Sequence, residues 1–467
     1  MFDAELLTSE QVLKFIKNAF SKKMDALQIS TALAKEYSNE QRVSIMDYMA
    51  LIPKIREKFS TEKAFEKNAA ENESLLICDK LALEQSTAKD IGQWKANLWP
   101  ATGIAADNEI EFAAGTATKI TVHDLCCGMG GDSFYLPKNL DVVGVDLDEN
   151  RLAMYRHNTK VMRGTFCEKA GTTILGDVRE IAKSNDSADE SENTRADYFT
   201  IDPARRAVDG ENQRDLRNLT PTLDEVVEIA RHYKGGMAKL PPGYPVGEIP
   251  DECEIVYVGG HSDCRECLVL FGELARNPAT MRAVMVDKNG EEIAKWSRKR
   301  DKDFEILDDE LQQKLNHNDQ LEGRDRTYRT SSSKSDLPIG KIADYISEPA
   351  ALLVRSRLFG QAATEASPDA HLISEGIAYV ASSSPMPAPG FASFKVLDHC
   401  EISTGAVRAM LKKHDIGKLT LKLRGVKVDP DAEIKRLKPK GKNPGILFYT
   451  RMAGEKVAIL TQGVNHG

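Results

Sequence analysis

The sequence predicts an α/β protein: a mostly parallel sheet covered on both faces, a helical region before it and a small α+β region after it. Three observations predict this. Residues 1 to about 117 carry apolar residues at helical spacing and no glycine before Gly92. Residues 118–275 alternate short apolar runs with helical patterns, the rhythm of a doubly covered sheet. Residues 392–467 mix alternating strands with helices. Between the last two, 276–391 reads as a hairpin, a charged linker and a connecting segment.

In the first region, Thr8 and Gln11 have capping-box spacing ahead of Val12, Leu13, Phe15, Ile16, Ala19 and Phe20. Further helical patterns cover Ile29–Leu33, Val43–Leu51 and Leu76–Trp94. The expected strands of the central region are Ile120–Leu125, Asp141–Asp146, Thr172–Leu175, Asp197–Asp202, Gly236–Leu240, Glu254–Val258 and Cys267–Phe271. Helical patterns fall at Ser133–Leu136, Glu149–Met162 and Leu216–Tyr233. The polar, acidic stretch Ser184–Arg195 reads as a solvated insertion. Residues 281–297 read as a hairpin turning at Asn289-Gly290, and the highly charged 299–336, ending in the run Ser331-Ser332-Ser333-Lys334-Ser335, as the linker. In the tail, Lys418–Arg424 alternates, with Leu419, Leu421 and Leu423 facing one way and Lys418, Lys422 and Arg424 the other. Asp429 caps a helix with Pro430 at its first position, and Ile446–Arg451 with Lys456–Thr461 closes a hairpin around Gly454.

Of 467 residues, 41% are hydrophobic and 29% charged, which suits a globular chain and excludes wholesale disorder. No apolar run reaches the roughly 18 residues of a membrane helix. The start, MFDAELLTSEQ, is acidic and lacks a signal peptide's basic flank. Eight cysteines, two of them the adjacent Cys126 and Cys127, do not form a disulfide framework, so the expected compartment is a reducing cytoplasm. His261, Cys264 and Cys267 supply three ligands where a structural zinc needs four, so no metal is expected. The net charge is −8, unevenly spread. Glu401–Gly467 has 14 Lys and Arg against 6 Asp and Glu, a net +8, leaving −16 on the preceding 400 residues. A basic tail on an acidic body points to an anionic partner.

The glycine loop His123–Ser133 carries the most information. It follows a strand and opens a helix, and glycine is needed where backbone turns tightly beside a ligand. Asp124 ends the first strand, Asp146 ends the second 16 residues after Gly130, and Asp177 follows the third. A carboxylate closing the second strand suits a ribose, because it accepts two hydroxyl hydrogen bonds. That fits NAD or S-adenosylmethionine. The third glycine of the dinucleotide fingerprint is replaced by Ser133, and Asp124 and Asp132 would repel a pyrophosphate yet accept a methionine ammonium. S-adenosylmethionine is therefore preferred. Its expected contacts are Asp124, Cys126, Gly128, Gly130, Asp132, Asp146 and Asp177, with Asp177 toward the adenine amine and the small Cys126 against the cofactor.

At the fourth strand, Asp202 leads into Pro203-Ala204-Arg205-Arg206. This is similar to the Asp/Asn-Pro-Pro-aromatic motif that holds the two hydrogens of a conjugated amine and aims its lone pair. Ala204 and Arg205 depart from it; arginine stacks on a base or pairs with a phosphate. Asp202, Pro203 and Arg205 are the expected acceptor-side residues.

With these residues in place, most of the chain resembles the bacterial class I S-adenosylmethionine-dependent methyltransferases that end in a THUMP-like domain. The resemblance rests on Leu83–Thr87, Asp124–Asp132, Asp146, Asp202–Arg206, Lys239–Gly243, Ser347-Glu348-Pro349 and the tail from Phe394 to Leu460. A more distant similarity is to trimethylguanosine synthase, through Asp124–Gly131, without that enzyme's Pro-Pro-Trp motif. The resemblance implies a Rossmann-like seven-stranded core, domains at 1–117, 118–275 and 392–467, and RNA as partner of the tail. It implies methylation of RNA, at a base nitrogen, with Glu84 and Gln85 near the site. The rival from another class is an RNA-binding protein whose methyltransferase fold has lost catalysis. Neither oligomeric state nor the particular RNA is legible.

Overall fold

The protein is described from a computed structural model covering residues 2–59, 75–99, 120–164, 169–186, 195–205, 216–300 and 337–463. The linker expected at 299–336, the insertion after Ser184 and Arg206 lie wholly or largely outside these residues.

The helices at the start are α1 (Ala4–Thr8), α2 (Glu10–Ser21), α3 (Ala26–Leu33), α4 (Asn39–Phe59), α5 (Lys80–Gln85) and α6 (Lys89–Ala96). Asp3, Asp25 and Asp79 cap α1, α3 and α5 by accepting from backbone N–H groups that have no helical partner. The α2 cap is Ser9 rather than Thr8, because the chain turns extended at Ser9 and its hydroxyl accepts from the Val12 N–H at 3.4 Å. The expected pattern Leu76–Trp94 is broken into α5 and α6, with Ser86 extended between them.

The central region contains β1 (Thr121–Leu125), β2 (Asp141–Asp146), α7 (Glu149–Arg163), β3 (Thr173–Leu175), α8 (Val178–Ser184), β4 (Tyr198–Ile201), β5 (Ala204–Arg205) and β6 (Leu219–Thr220). It continues with α9 (Leu223–Ala230), β7 (Gly235–Leu240), β8 (Glu254–Gly259), β9 (Cys264–Gly272), β10 (Thr280–Val286) and β11 (Glu292–Lys299). The main sheet runs β11-β10-β8-β9-β7-β4-β1-β2-β3. From β3 to β7 the strands are parallel, and β9 is inserted antiparallel between β7 and β8. The carboxyl ends of β1, β4 and β7 and the start of β9 therefore meet at one edge. β1 is buried throughout, as a central strand with both faces covered must be.

Two expectations change here. The glycine loop opens only a single 3₁₀ turn, Ser133–Tyr135, and not a full helix. The helix expected at Leu216–Tyr233 begins at Leu223, where Thr222 and Glu225 form a capping box; Leu219–Thr220 instead pairs with Ala204–Arg205.

The hairpin at Asn289-Gly290 forms and extends the main sheet, β10 pairing parallel with β8. Its turn presses on α6: a Cβ on Gly290 would stand 2.6 Å from the Asp90 carbonyl oxygen. The rest of the segment read as a connector supplies strands to a second sheet. These are β12 (Tyr345–Pro349), β13 (His371–Leu372) and β14 (Val380–Ser382), with α10 (Ala351–Arg355) and α11 (Phe359–Ala366) between. They join β15 (Phe391–Glu401), β16 (Ile416–Leu423), β17 (Asn443–Met452) and β18 (Glu455–Gly463) in the order β13-β14-β12-β15-β18-β17-β16. Helices α12 (Thr404–Lys413) and α13 (Pro430–Leu437) cover this sheet, burying Val407, Met410 and Leu437 against Leu447 and Leu460.

The basic side of β16 is not one solvent face. Lys418 is exposed, but Lys422 pairs with Glu348, and Arg424 donates to Glu348 at 3.3 Å and to the Ala378 carbonyl at 2.7 Å. Simple alternation missed this because Glu348 lies on β12, a strand absent from the expected tail domain. Among the described residues, no helix is long and apolar enough to cross a membrane.

Candidate active site

The chain leaves β1 through Cys126, whose φ of 56° is left-handed, then Gly128 and Gly130 at φ 52° and 91°. At Gly130 a Cβ would meet Phe134 and Tyr155 at 3.1 Å, so both packing and backbone require glycine. At Gly128 a Cβ would meet nothing within 4 Å; this side of the loop is open. Gly131 lies against Ser86, where a Cβ would come within 3.0 Å of the serine Cβ.

Asp146 faces this loop from the end of β2. Its carboxylate accepts the Gly128 N–H and the Asp148 N–H, each at 3.1 Å, which fixes its orientation and leaves a lone pair on each oxygen. Asp124 is buried and accepts the Ser133 hydroxyl at 2.6 Å. Burial, then the nearby Asp132, raises its carboxyl well above the usual range. Burial likewise raises the Cys126 and Cys127 thiols, so neither is an activated nucleophile. Asp177 serves as the N-cap of α8, accepting the Arg179 N–H and Nε at 2.9 Å. Those Arg179 hydrogen bonds hold its pKa down at about 2.

The acceptor side is a charge cluster. Asp202 follows β4, with Pro203 buried behind it, and Arg205 sits in β5 opposite Leu219. Lys239 of β7 donates to Asp202 Oδ2 at 2.8 Å and to the Gln85 carbonyl at 3.3 Å, and stands 3.8 Å from Glu266 Oε1. Glu266 of β9 accepts from Lys95 at 3.0 Å and from the Thr87 hydroxyl at 2.9 Å. Lys95 also pairs with Asp132 of the glycine loop. Burial alone would lower the Lys95 and Lys239 pKa values, but the surrounding carboxylates raise both. Burial resists ionisation of Asp132, and Lys95 and Lys239 overcome it, leaving the carboxyl below its usual range. Asp202 is raised, by desolvation first, with Lys239 opposing, although 40% of its side chain still faces solvent.

The structure thus brings Asp124, Cys126, Gly128, Gly130, Asp132, Asp146, Asp202 and Pro203 to one sheet edge. Asp177 is also at that edge but occupied as a cap. Thr87, Lys95, Lys239 and Glu266 are additional members that the sequence reading did not place at the site; Thr87 and Lys239 entered it only through the family resemblance. Glu84 is exposed, within 3.9 Å of Lys80, while Gln85 contributes its backbone carbonyl.

S-adenosylmethionine fits this edge on two observations. The open Gly128 side admits a ligand against the backbone. The carboxylates Asp124, Asp132, Asp146, Asp202 and Glu266 outnumber the ammoniums of Lys95 and Lys239, which suits a ligand bearing a sulfonium and an ammonium.

The reversed β9 between β7 and β8, with a glycine loop after β1 and an acidic end to β2, defines a class I S-adenosylmethionine-dependent methyltransferase fold. Comparison with known proteins agrees and adds the tail: residues 391–462 match the THUMP domain-like family. Two Mycobacterium tuberculosis proteins, from strains CDC 1551 / Oshkosh and H37Rv, are each 26% identical over 346 residues, covering 73% of this chain and 80% of theirs. Both are described as uncharacterized S-adenosylmethionine-dependent methyltransferases. A crystal structure from Porphyromonas gingivalis W83, provisionally described as a methyltransferase, matches over 98% of this chain and 99% of its own. Its TM-score is 0.67 at 17% identity, so the two share a fold from end to end.

Proposed function

We propose that the protein transfers a methyl group from S-adenosylmethionine to RNA. What carries the reading is the single sheet edge that places Asp124 and Asp146 beside Asp202. Asp146 receives the ribose, and Asp124 and Asp132 the methionine end, with Cys126, Gly128 and Gly130 against the ligand. Asp202, Pro203 and Arg205 form the acceptor side. The α6 helix, which carries Lys95, and the short segment before it, which carries Thr87, close the site from the other side and limit water. A base nitrogen, expected from the Asp202-Pro203 motif, would share Asp202 with the Lys239 ammonium.

RNA recruitment falls to the THUMP-like domain. The Gly441 N–H donates to the Ile416 carbonyl at 2.9 Å, and Asn443 to that of Asp415 at 2.8 Å. This brings the exposed Lys440 and Lys442 beside the exposed Lys418. Replacing Lys418, Lys440 and Lys442 together by Gln should weaken RNA binding and flatten its salt dependence. Each phosphate no longer neutralised takes roughly 0.7–0.9 off the slope of log affinity against log salt. An unchanged slope would move the RNA surface elsewhere. For the activity itself, labelled S-adenosylmethionine is incubated with RNA from cells lacking the gene. Cofactor binding without label in any RNA would favour the non-catalytic RNA-binding rival.

A further inference from the structure

We propose that the acceptor is a hydroxyl, the 2′-hydroxyl of an RNA ribose, and that Asp202 and Lys239 act on it together. The inference rests on the RNA reading above and specifies the atom.

Three observations carry it. First, holding an amine by both hydrogens needs acceptor groups free beside it. The Lys239 ammonium occupies Asp202 Oδ2 at 2.8 Å, so Oδ1 is left to accept, and an ammonium beside an amine would donate into the lone pair that has to attack. Nor can Lys239 easily leave. The Gln85 carbonyl holds it at 3.3 Å and Glu266 stands at 3.8 Å, while Lys95 anchors the other oxygen of Glu266 at 3.0 Å. Moving the ammonium away would leave Asp202 without its cation and Glu266 with Lys95 alone. Second, the segment Asp202–Arg205 has no aromatic ring, and Ala204, the position after Pro203, is exposed. A base would find no aromatic ring in that segment to stack on. Third, a hydroxyl has one hydrogen and two lone pairs, which matches a carboxylate and an ammonium side by side. Its hydrogen meets Asp202 while Lys239 donates to its oxygen.

The step balances with the sulfonium methyl donor. The acceptor oxygen forms the new O–C bond, and its proton passes to the Asp202 carboxylate. The S–C bond breaks with its electron pair left on sulfur, which becomes a neutral thioether. Lys239 keeps its charge throughout and stabilises the negative charge growing on the acceptor oxygen. The pKa directions agree: Asp202 is raised, which improves it as a proton acceptor, and Lys239 is raised, which keeps it an ammonium. Among RNA hydroxyls within a chain, the 2′ position is the one that DNA lacks.

The test uses the full chain, labelled S-adenosylmethionine and RNA from cells lacking the gene. After digestion, label should appear in ribose-methylated nucleosides, and labelled linkages should resist alkali. Label on a base would overturn the hydroxyl proposal and leave the RNA reading standing. Label in no RNA, with cofactor bound, would overturn both. Lys239→Met should slow single turnover by a factor of about 100 or more, while the affinity for a non-reacting cofactor analogue, read by calorimetry, stays within threefold. Lys239→Arg retains the charge, guards against a folding defect in the first variant, and should recover part of the rate. Parent-rate turnover by Lys239→Met, or no recovery by a folded Lys239→Arg, would overturn the role of Lys239.

Discussion

The two halves of the sheet edge are built differently. On the β1–β2 side the backbone makes the site: left-handed Cys126, Gly128 and Gly130, with Asp146 tied to two N–H groups. On the β4–β7–β9 side distant side chains make it: Asp202 after β4, Lys239 of β7, Glu266 of β9, Lys95 of α6 and Asp132 of the glycine loop share charge, and the Thr87 hydroxyl bonds Asp132 and Glu266. The first design tolerates removal of one ligand-binding group without unfolding. The second ties chemistry to stability, because each ion there is compensated by others.

Lys95→Met should break the comparison most severely. It leaves Asp132 and Glu266 without their buried partner, and should cost about 3–5 kcal/mol in denaturant unfolding. A variant as stable as the parent would mean the cluster is not a structural unit. Asp146→Ala should act on the other half as an affinity loss, about 1.5–3 kcal/mol or at least tenfold for S-adenosylmethionine by calorimetry. Unchanged affinity in a folded variant would remove Asp146 from the cofactor site. Asp177→Ala should be the mildest. It removes the α8 cap, about 1 kcal/mol of stability, and leaves cofactor affinity within threefold; a tenfold loss would restore the adenine interaction expected from sequence. The Asp177 contribution also has a pH signature. Its folded pKa, about 2, lies below the ordinary 3.8 of an unfolded aspartate, so the stabilisation is present above that ordinary value and fades as pH falls toward 2.

The backbone half is legible in the sequence, and of the side-chain half only Asp132 and Asp202 are, for a physical reason. Positive φ calls for glycine locally, and a strand-end aspartate sits within one βαβ unit, so Gly128, Gly130 and Asp146 announce themselves. Lys95 and Glu266 are 171 positions apart, and only the sheet order brings them together. One signal was available. Glu266 and Lys239 are charged residues inside apolar strands, Cys264–Gly272 and Gly235–Leu240, where burial demands a partner. Lys422 and Arg424 mislead for the same reason, since their partner Glu348 lies in a segment that reads as a connector. Asp177 shows the opposite hazard, in which an acidic residue at the right place is a helix cap.

The turn at Gly290 pressing on α6 has a bearing on how the protein is made. The helix that carries Lys95 leaves the ribosome well before its supports do. Its supports come far later: Arg265, which pairs with Asp90, then Glu266, then the hairpin tip itself. During synthesis at roughly 5–20 residues per second, that helix waits some ten seconds or more before its docking surface is complete. Until then Lys95 has Asp132 but not Glu266 as a partner, and the charge cluster cannot assemble. A nascent chain stalled before residue 290 would therefore hold a nearly complete glycine loop and no finished place for a substrate.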